Sequence, residues 1–248
     1  LLAVFFLLPV FAVMFKASGI NFWTNPAVVS SLKLSIITSS CAALVFIVLG
    51  VPAAYFLARV DFKGKKILGA LLELPMVLPP SVAGLALLMT FGRLGLLGKY
   101  LNFFGISIPF STSAVVMAQV FVAGPIFLKT ARNGFAAVNP WLEKVSFTLG
   151  KSAWSTFCTI TLPLALPSLI SGLIMAWARA LGEFGATIMF AGNLPGKTQT
   201  LPLAIFSGME RNIDEAVAIA ALMLLISFAV LFVTKIITGR EDYVGHSL

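Results

Sequence analysis

The chain has 248 residues, of which 59% are hydrophobic and only 10% charged, and its mean hydropathy is +1.03. A soluble domain carries roughly 25% charged residues, so this composition excludes a water-soluble protein and calls for an all-α integral membrane protein. The 17 Lys and Arg against 9 acids give a formal charge of +8. No basic run is interleaved with aromatics, which excludes a nucleic-acid partner and assigns the charge to loops beside anionic lipid.

Six apolar runs approach the length needed to cross about 30 Å of hydrocarbon. The chain begins Leu1-Leu2 without Met, and neither a basic flank nor a small-residue cleavage site is visible. Residues 1–15 are therefore expected to be the outer part of a longer first span whose N-terminus is truncated. The second run, 28–57, carries Lys33 and Pro52 near its two ends and is long enough to tilt. A basic stretch, Arg59 to Lys66, breaks it.

The third run, 67–91, is interrupted by Pro75, Pro79 and Pro80, with Gly84 shortly after. Proline removes helical hydrogen bonds, so this backbone must pack within protein or face water, and the third span is expected to line something. Residues 92–113 form a Gly-rich linker. The fourth run, 114–128, is expected to kink at Gly124-Pro125. The fifth covers about 164–190 and the sixth 216–237, while 198–213, with Pro202 and Gly208, is too short and mixed for a span and reads as re-entrant or interfacial. No period of 20 to 50 residues recurs, so residues 1–248 are expected to be one transmembrane domain.

Loop charge orients these spans. The loops after runs two and four, with the tail, carry Arg59, Lys63, Lys65, Lys66, Lys129, Arg132, Lys144, Lys151, Lys235 and Arg240; the opposite loops carry Lys16, Lys33, Arg93, Lys99, Lys197 and Arg211. Ten against six places the first set, and both termini, in the cytoplasm. Cys41, in a span, and Cys158, at a cytoplasmic turn, are expected to lie far apart and stay reduced. His246 is the single His, so neither a metal cluster nor a Ser–His pairing is available.

Between runs four and five lies Asn139 to Pro163, NPWLEKVSFTLGKSAWSTFCTITLP. Asn139 followed by Pro140 is a helix start with Pro at the first helical position. Trp141, Leu142, Val145 and Leu149 then recur at helical spacing, interspersed with Glu143, Lys144 and Thr148, and Gly150 stops the helix. A helix this short cannot cross a bilayer, so its free face is expected to meet something outside the lipid, another protein.

Here the chain resembles the inner-membrane permease subunits of binding-protein-dependent ABC importers. These carry a cytoplasmic loop of Glu-Ala-Ala, three residues, Gly, nine residues and Ile-x-Leu-Pro. Gly150 and Ile160-Thr161-Leu162-Pro163 match the second half in full; Lys144-Val145-Ser146 stands where Glu-Ala-Ala would, with Glu143 one residue early. The resemblance implies that Pro140 to Gly150, Ser146 included, form a coupling helix docked into a cleft of the ATPase.

A second unusual feature is Arg179 and Glu183 inside the fifth run, four residues apart and so on one helical face, where they can pair. Two readings stand: a staple between helices, which Gly182 and Gly185 favour by permitting close packing, or a positive charge presented near the path of an anion. Ala176 to Ala186, followed by Gly192 to Pro202 (GNLPGKTQTLP), resembles the molybdate and sulfate branch of these permeases, the molybdate members more closely; Leu74 to Gly84 (LPMVLPPSVAG) is similar to the same branch.

The resemblance covers about residues 28–242. It implies a homodimer around a central pore in the cell membrane, two ATP-binding cassette subunits on the cytoplasmic side, and an external binding protein that delivers molybdate or tungstate. The chain contains no Gly-x-x-x-x-Gly-Lys-Ser/Thr loop, so it is not expected to be an enzyme: ATP and magnesium sit on the partner, and this chain binds no cofactor. An apolar gate is expected where spans three and five meet, with Met76, Pro79, Pro80, Gly84, Met89 and Met189 as candidates. The alternatives are a sulfate or thiosulfate permease of the same class, or a secondary anion transporter or channel, which would show more intramembrane acids than Glu73 and Glu183. Glu73 is expected near Lys65 and Lys66. A membrane-embedded enzyme lacks a catalytic set, and a mere scaffold has no use for a Pro-broken span.

Overall fold

Inside hydrocarbon no water satisfies backbone N–H and C=O groups, so apolar runs close their hydrogen bonds within helices. In the computed structural model, which describes residues 1–19 and 26–244 with side chains up to Lys235, every regular element is helical. The side chain of Arg240, and His246, lie outside the described residues.

Helix α1 (Leu2–Ala17) is 16 residues long and packs along the last helix. Then α2 (Pro26–Val45), a π-helical segment (Phe46–Gly50) and α3 (Val51–Arg59) make one rod of 34 residues. Next come α4 (Lys65–Glu73), a 3-10 turn (Leu74–Met76) and α5 (Pro80–Phe91), which are bent against each other by 110°. The bend falls where Pro75, Pro79 and Pro80 remove backbone donors. The glycine-rich linker contains a short helix, α6 (Gly98–Phe103).

Helix α7 (Thr112–Ala137) runs on through Pro125 to Ala137 rather than stopping at residue 128. It is followed by α8 (Pro140–Thr148), then by α9 (Ala153–Thr156), a second π-helical segment (Phe157–Thr161) and α10 (Leu162–Leu181), together a rod of 29 residues. The fifth run therefore ends at Leu181, not at residue 190: the chain breaks at Gly182 and restarts as α11 (Gly185–Ala191). Finally α12 (Leu201–Arg211), 11 residues long, leads into α13 (Ile213–Val244). Among the described residues four helices are long and apolar enough to cross a membrane, and five if the bent pair counts as one span.

Helix α7 is the central post. On one side α2, α3 and α10 pack on it through Ala42, Phe46, Ala54, Ala123, Phe127 and Ala176. On the other, α5 and α11 pack on it through Ala83, Leu87, Ala118, Val122, Ala186 and Phe190. A third cluster of Val28, Leu201, Ala204 and Ile219 joins α2, α12 and α13. Small residues predominate because lipid offers no hydrophobic drive between helices, so close van der Waals contact must hold them. A Cβ on Gly134 would stand 2.5 Å from Ser168 Cβ, and one on Gly172 would stand 2.9 Å from Thr130 Cβ, so α7 and α10 touch through glycine at both places.

Candidate coupling and pathway sites

The sequence starts and stops α8 with recognisable chemistry. The Asn139 side chain accepts the Trp141 N–H at 2.9 Å, Pro140 opens the helix, and Gly150 leaves it at φ +80°, a left-handed conformation that glycine adopts without strain. Its apolar residues point outward: Trp141 is 65% exposed and Leu149 77%, and Leu142, Val145 and Phe147 are exposed with them. Lys144 lies over the Trp141 ring at 5.8 Å from its centre, and the Thr148 hydroxyl donates back to the Val145 carbonyl. Glu143 and Ser146, by contrast, are buried against the chain's own helices. The helix is thus inside out for a solitary surface helix, with its greasy side free and its polar side packed.

What holds the polar side is a cluster that sequence spacing could not show. Glu143 Oε1 accepts from Arg59 Nε at 3.1 Å, Arg59 Nη2 at 2.9 Å and Thr161 Oγ1 at 2.6 Å. The same Arg59 Nη2 donates to the Val138 carbonyl at 3.0 Å. Three residues further along α8, the Ser146 hydroxyl shares a hydrogen bond of 2.8 Å with the Thr156 hydroxyl. Tyr55, one turn before Arg59 on α3, packs edge to face on both Phe135 and Phe157. The loops that follow Arg59 and Ala137 therefore share one end of the bundle.

Glu73 is at a different place from the one its neighbours in sequence indicate. It pairs with Lys129 Nζ at 3.3 Å and Arg132 Nη2 at 3.6 Å on α7, while Lys65 pairs with Asp61 at 2.8 Å. The Lys65 ammonium holds the exposed Asp61 carboxyl below its ordinary range. The cation nearest in sequence loses to a cation on a packed neighbouring helix. Cys158 likewise lies in a π-helical segment and not in a turn; both Cys41 and Cys158 are free and exposed.

The second site is the junction of the two broken helices. A Cβ on Gly185 would stand 2.7 Å from Pro80 Cβ, and one on Gly84 would stand 2.8 Å from Met189 Cβ, so the starts of α5 and α11 are in backbone-to-backbone contact. Arg179 Nη1 and Glu183 Oε2 are 2.7 Å apart, with side chains 35% and 1% exposed. They pair, but not along one helix: Glu183 lies beyond the end of α10, and its Oε1 accepts the Ala186 N–H at 2.8 Å, capping α11. Of the gate candidates the structure joins Pro80, Gly84 and Met189 at this junction; Pro79 immediately precedes α5, and Met76 and Met89 sit on exposed surface. Among the described residues no group of three His, Cys, Asp or Glu could hold a metal.

Comparison with known proteins gives this geometry a family. The sequence profile described as "Binding-protein-dependent transport system inner membrane component" matches residues 46–241. The "Molybdenum transport system permease protein ModB" of Mycobacterium tuberculosis is 42% identical over 98% of this chain and 91% of its own length. The "Molybdate/tungstate transport system permease protein WtpB" of Thermococcus kodakarensis is 37% identical over 88% of this chain and 82% of its own. Among solved structures, a bacterial ABC transporter involved in the import of the acidic polysaccharide alginate superposes with a TM-score of 0.77 at 14% identity, covering 96% of this chain and 90% of that one, which shows a shared fold. With a profile match over most of its length and relatives of this identity, the chain belongs to the family of binding-protein-dependent transport system inner membrane components.

Proposed function

We propose that this chain is the permease of an ATP-driven importer that carries a tetrahedral oxyanion, molybdate or tungstate, across the cytoplasmic membrane. The observation that carries the proposal is the 42% identity over 98% of the chain to a permease named for molybdenum transport. As the membrane component it hydrolyses no ATP. ATP and magnesium belong to a separate ATPase, and this chain binds no cofactor of its own.

In this reading two copies of the chain enclose the pore, two ATPase subunits dock on the cytoplasmic face, and an external binding protein delivers the anion. Counted with α1 and the bent pair, the helices make six spans with both termini in the cytoplasm, in keeping with the basic loops. The exposed Trp141, Leu142, Val145 and Leu149 supply the apolar face that enters the ATPase, and the junction of α5 and α11 forms the gate. Selectivity rests mainly with the binding protein.

Replacing Val145 or Leu149 with Asp should abolish copurification of the ATPase while the membrane fold, judged by detergent gel filtration, is retained. Continued copurification would remove α8 as the docking element. In proteoliposomes holding the whole complex, molybdate uptake should require ATP. Uptake of sulfate in preference would redirect the substrate assignment, and uptake on an ion gradient without any ATPase would overturn the importer reading.

A further inference from the structure

We propose that Arg59, Glu143 and Thr161 are the joint through which motion of α8 enters the membrane helices, so that these three residues set how much substrate moves for each ATP hydrolysed. The inference rests on the permease reading above. It assigns to Glu143 a role separate from contact with the ATPase, which its burial opposes.

One carboxylate oxygen gathers four elements. Glu143 stands in the first turn of α8, Arg59 is the last residue of α3, Thr161 is the last residue before α10, and Val138, bonded to Arg59, closes α7. Charge-assisted hydrogen bonds with little solvent access are short and stiff. A displacement of α8 cannot be absorbed by sliding of its inner face, and is passed to α3 and α10 together.

Both of those rods also contain a place that can yield. Phe46–Gly50 and Phe157–Thr161 are π-helical, and such segments interrupt the regular i to i−4 ladder. The two segments face one apolar groove of about 610 Å³, open to the surface and lined by Ile47, Tyr55, Phe127, Phe157, Leu166 and Leu173 among others. Close-packed helices transmit motion but resist it; on the side of this groove the two π-helical segments are not clamped by another helix of the chain. A handle, a rigid joint and two interrupted helices beside an open groove lie in series from α8 inward.

The test uses the complete complex of permease, ATPase and binding protein in proteoliposomes, with molybdate uptake and ATP hydrolysis measured in parallel. Glu143→Ala should leave the ATPase copurifying while uptake per ATP falls by about tenfold, within the range of coupling energies between sites. Thr161→Val should lower the ratio less, because the Arg59 bonds survive. Since Glu143→Ala strands the Arg59 charge, the paired variant Arg59→Met with Glu143→Leu keeps the site neutral and apolar, and should fold and assemble yet remain uncoupled. An unchanged ratio in the assembled paired variant, or uptake and hydrolysis falling in proportion, overturns the joint. Absence of ATP-dependent uptake by the unaltered complex instead overturns the permease reading, and the joint with it.

Discussion

Arg179 and Glu183 illustrate how a residue's neighbours decide its meaning. The carboxylate is almost wholly buried, ion-paired on one oxygen and capping α11 with the other. Arg179→Ala leaves that charge without its cation and should destabilise the protein by about 3 kcal/mol or more, whereas removing both charges should cost less. Thermal unfolding in detergent orders the two variants. A double variant no more stable than the single one would mean that Glu183 is held by its cap alone, and a stable double variant that fails only in transport would assign the pair to the anion path. The i to i+4 spacing made this pair legible in sequence; the helix end between its members was not, because the run stays apolar past Gly182, where α10 stops, and on through α11.

At the scale of elements, the α7–α10 contact governs the bundle. Gly134→Ala places a Cβ 2.5 Å from Ser168 Cβ and should destabilise by roughly 1–3 kcal/mol, the usual penalty of overpacking. Gly182→Ala meets nothing nearer than 3.7 Å and, at φ −86°, should be neutral within about 0.5 kcal/mol. Equal unfolding temperatures for the two variants would mean that α7 and α10 do not approach through Gly134. The start of α8 was readable from Asn139-Pro140 and its end from Gly150, since caps are local chemistry. Which face it frees was not readable, because the burial of Glu143 depends on Arg59, 84 residues earlier.

For the molecule as a whole, orientation is the property that fixes which partner each end meets. With Cys41 and Cys158 replaced by Ser, a single Cys at Trp141 should resist a membrane-impermeant maleimide in right-side-out vesicles until they are lysed, while one at Lys99 should react at once. Labelling of position 141 in sealed vesicles would place α8 outside, beyond reach of a cytosolic ATPase. The exposed positions of Trp141 and Tyr100, beside Lys99, keep the comparison fair.

Hydrophobic run length, proline placement and cap residues are one-dimensional quantities, so the sequence by itself determined that the chain is a helical membrane protein with a broken third run and a short capped helix between the fourth and fifth runs. It also carried the family, through Gly150 and Ile160 to Pro163. Tertiary structure alone decided that Glu73 binds α7 rather than its own loop, that the fifth run ends at Leu181, and that Glu143 ties four elements together. These are choices among several available partners, and the choice is made by which helices pack closely enough to bring one charge within hydrogen-bonding distance of another.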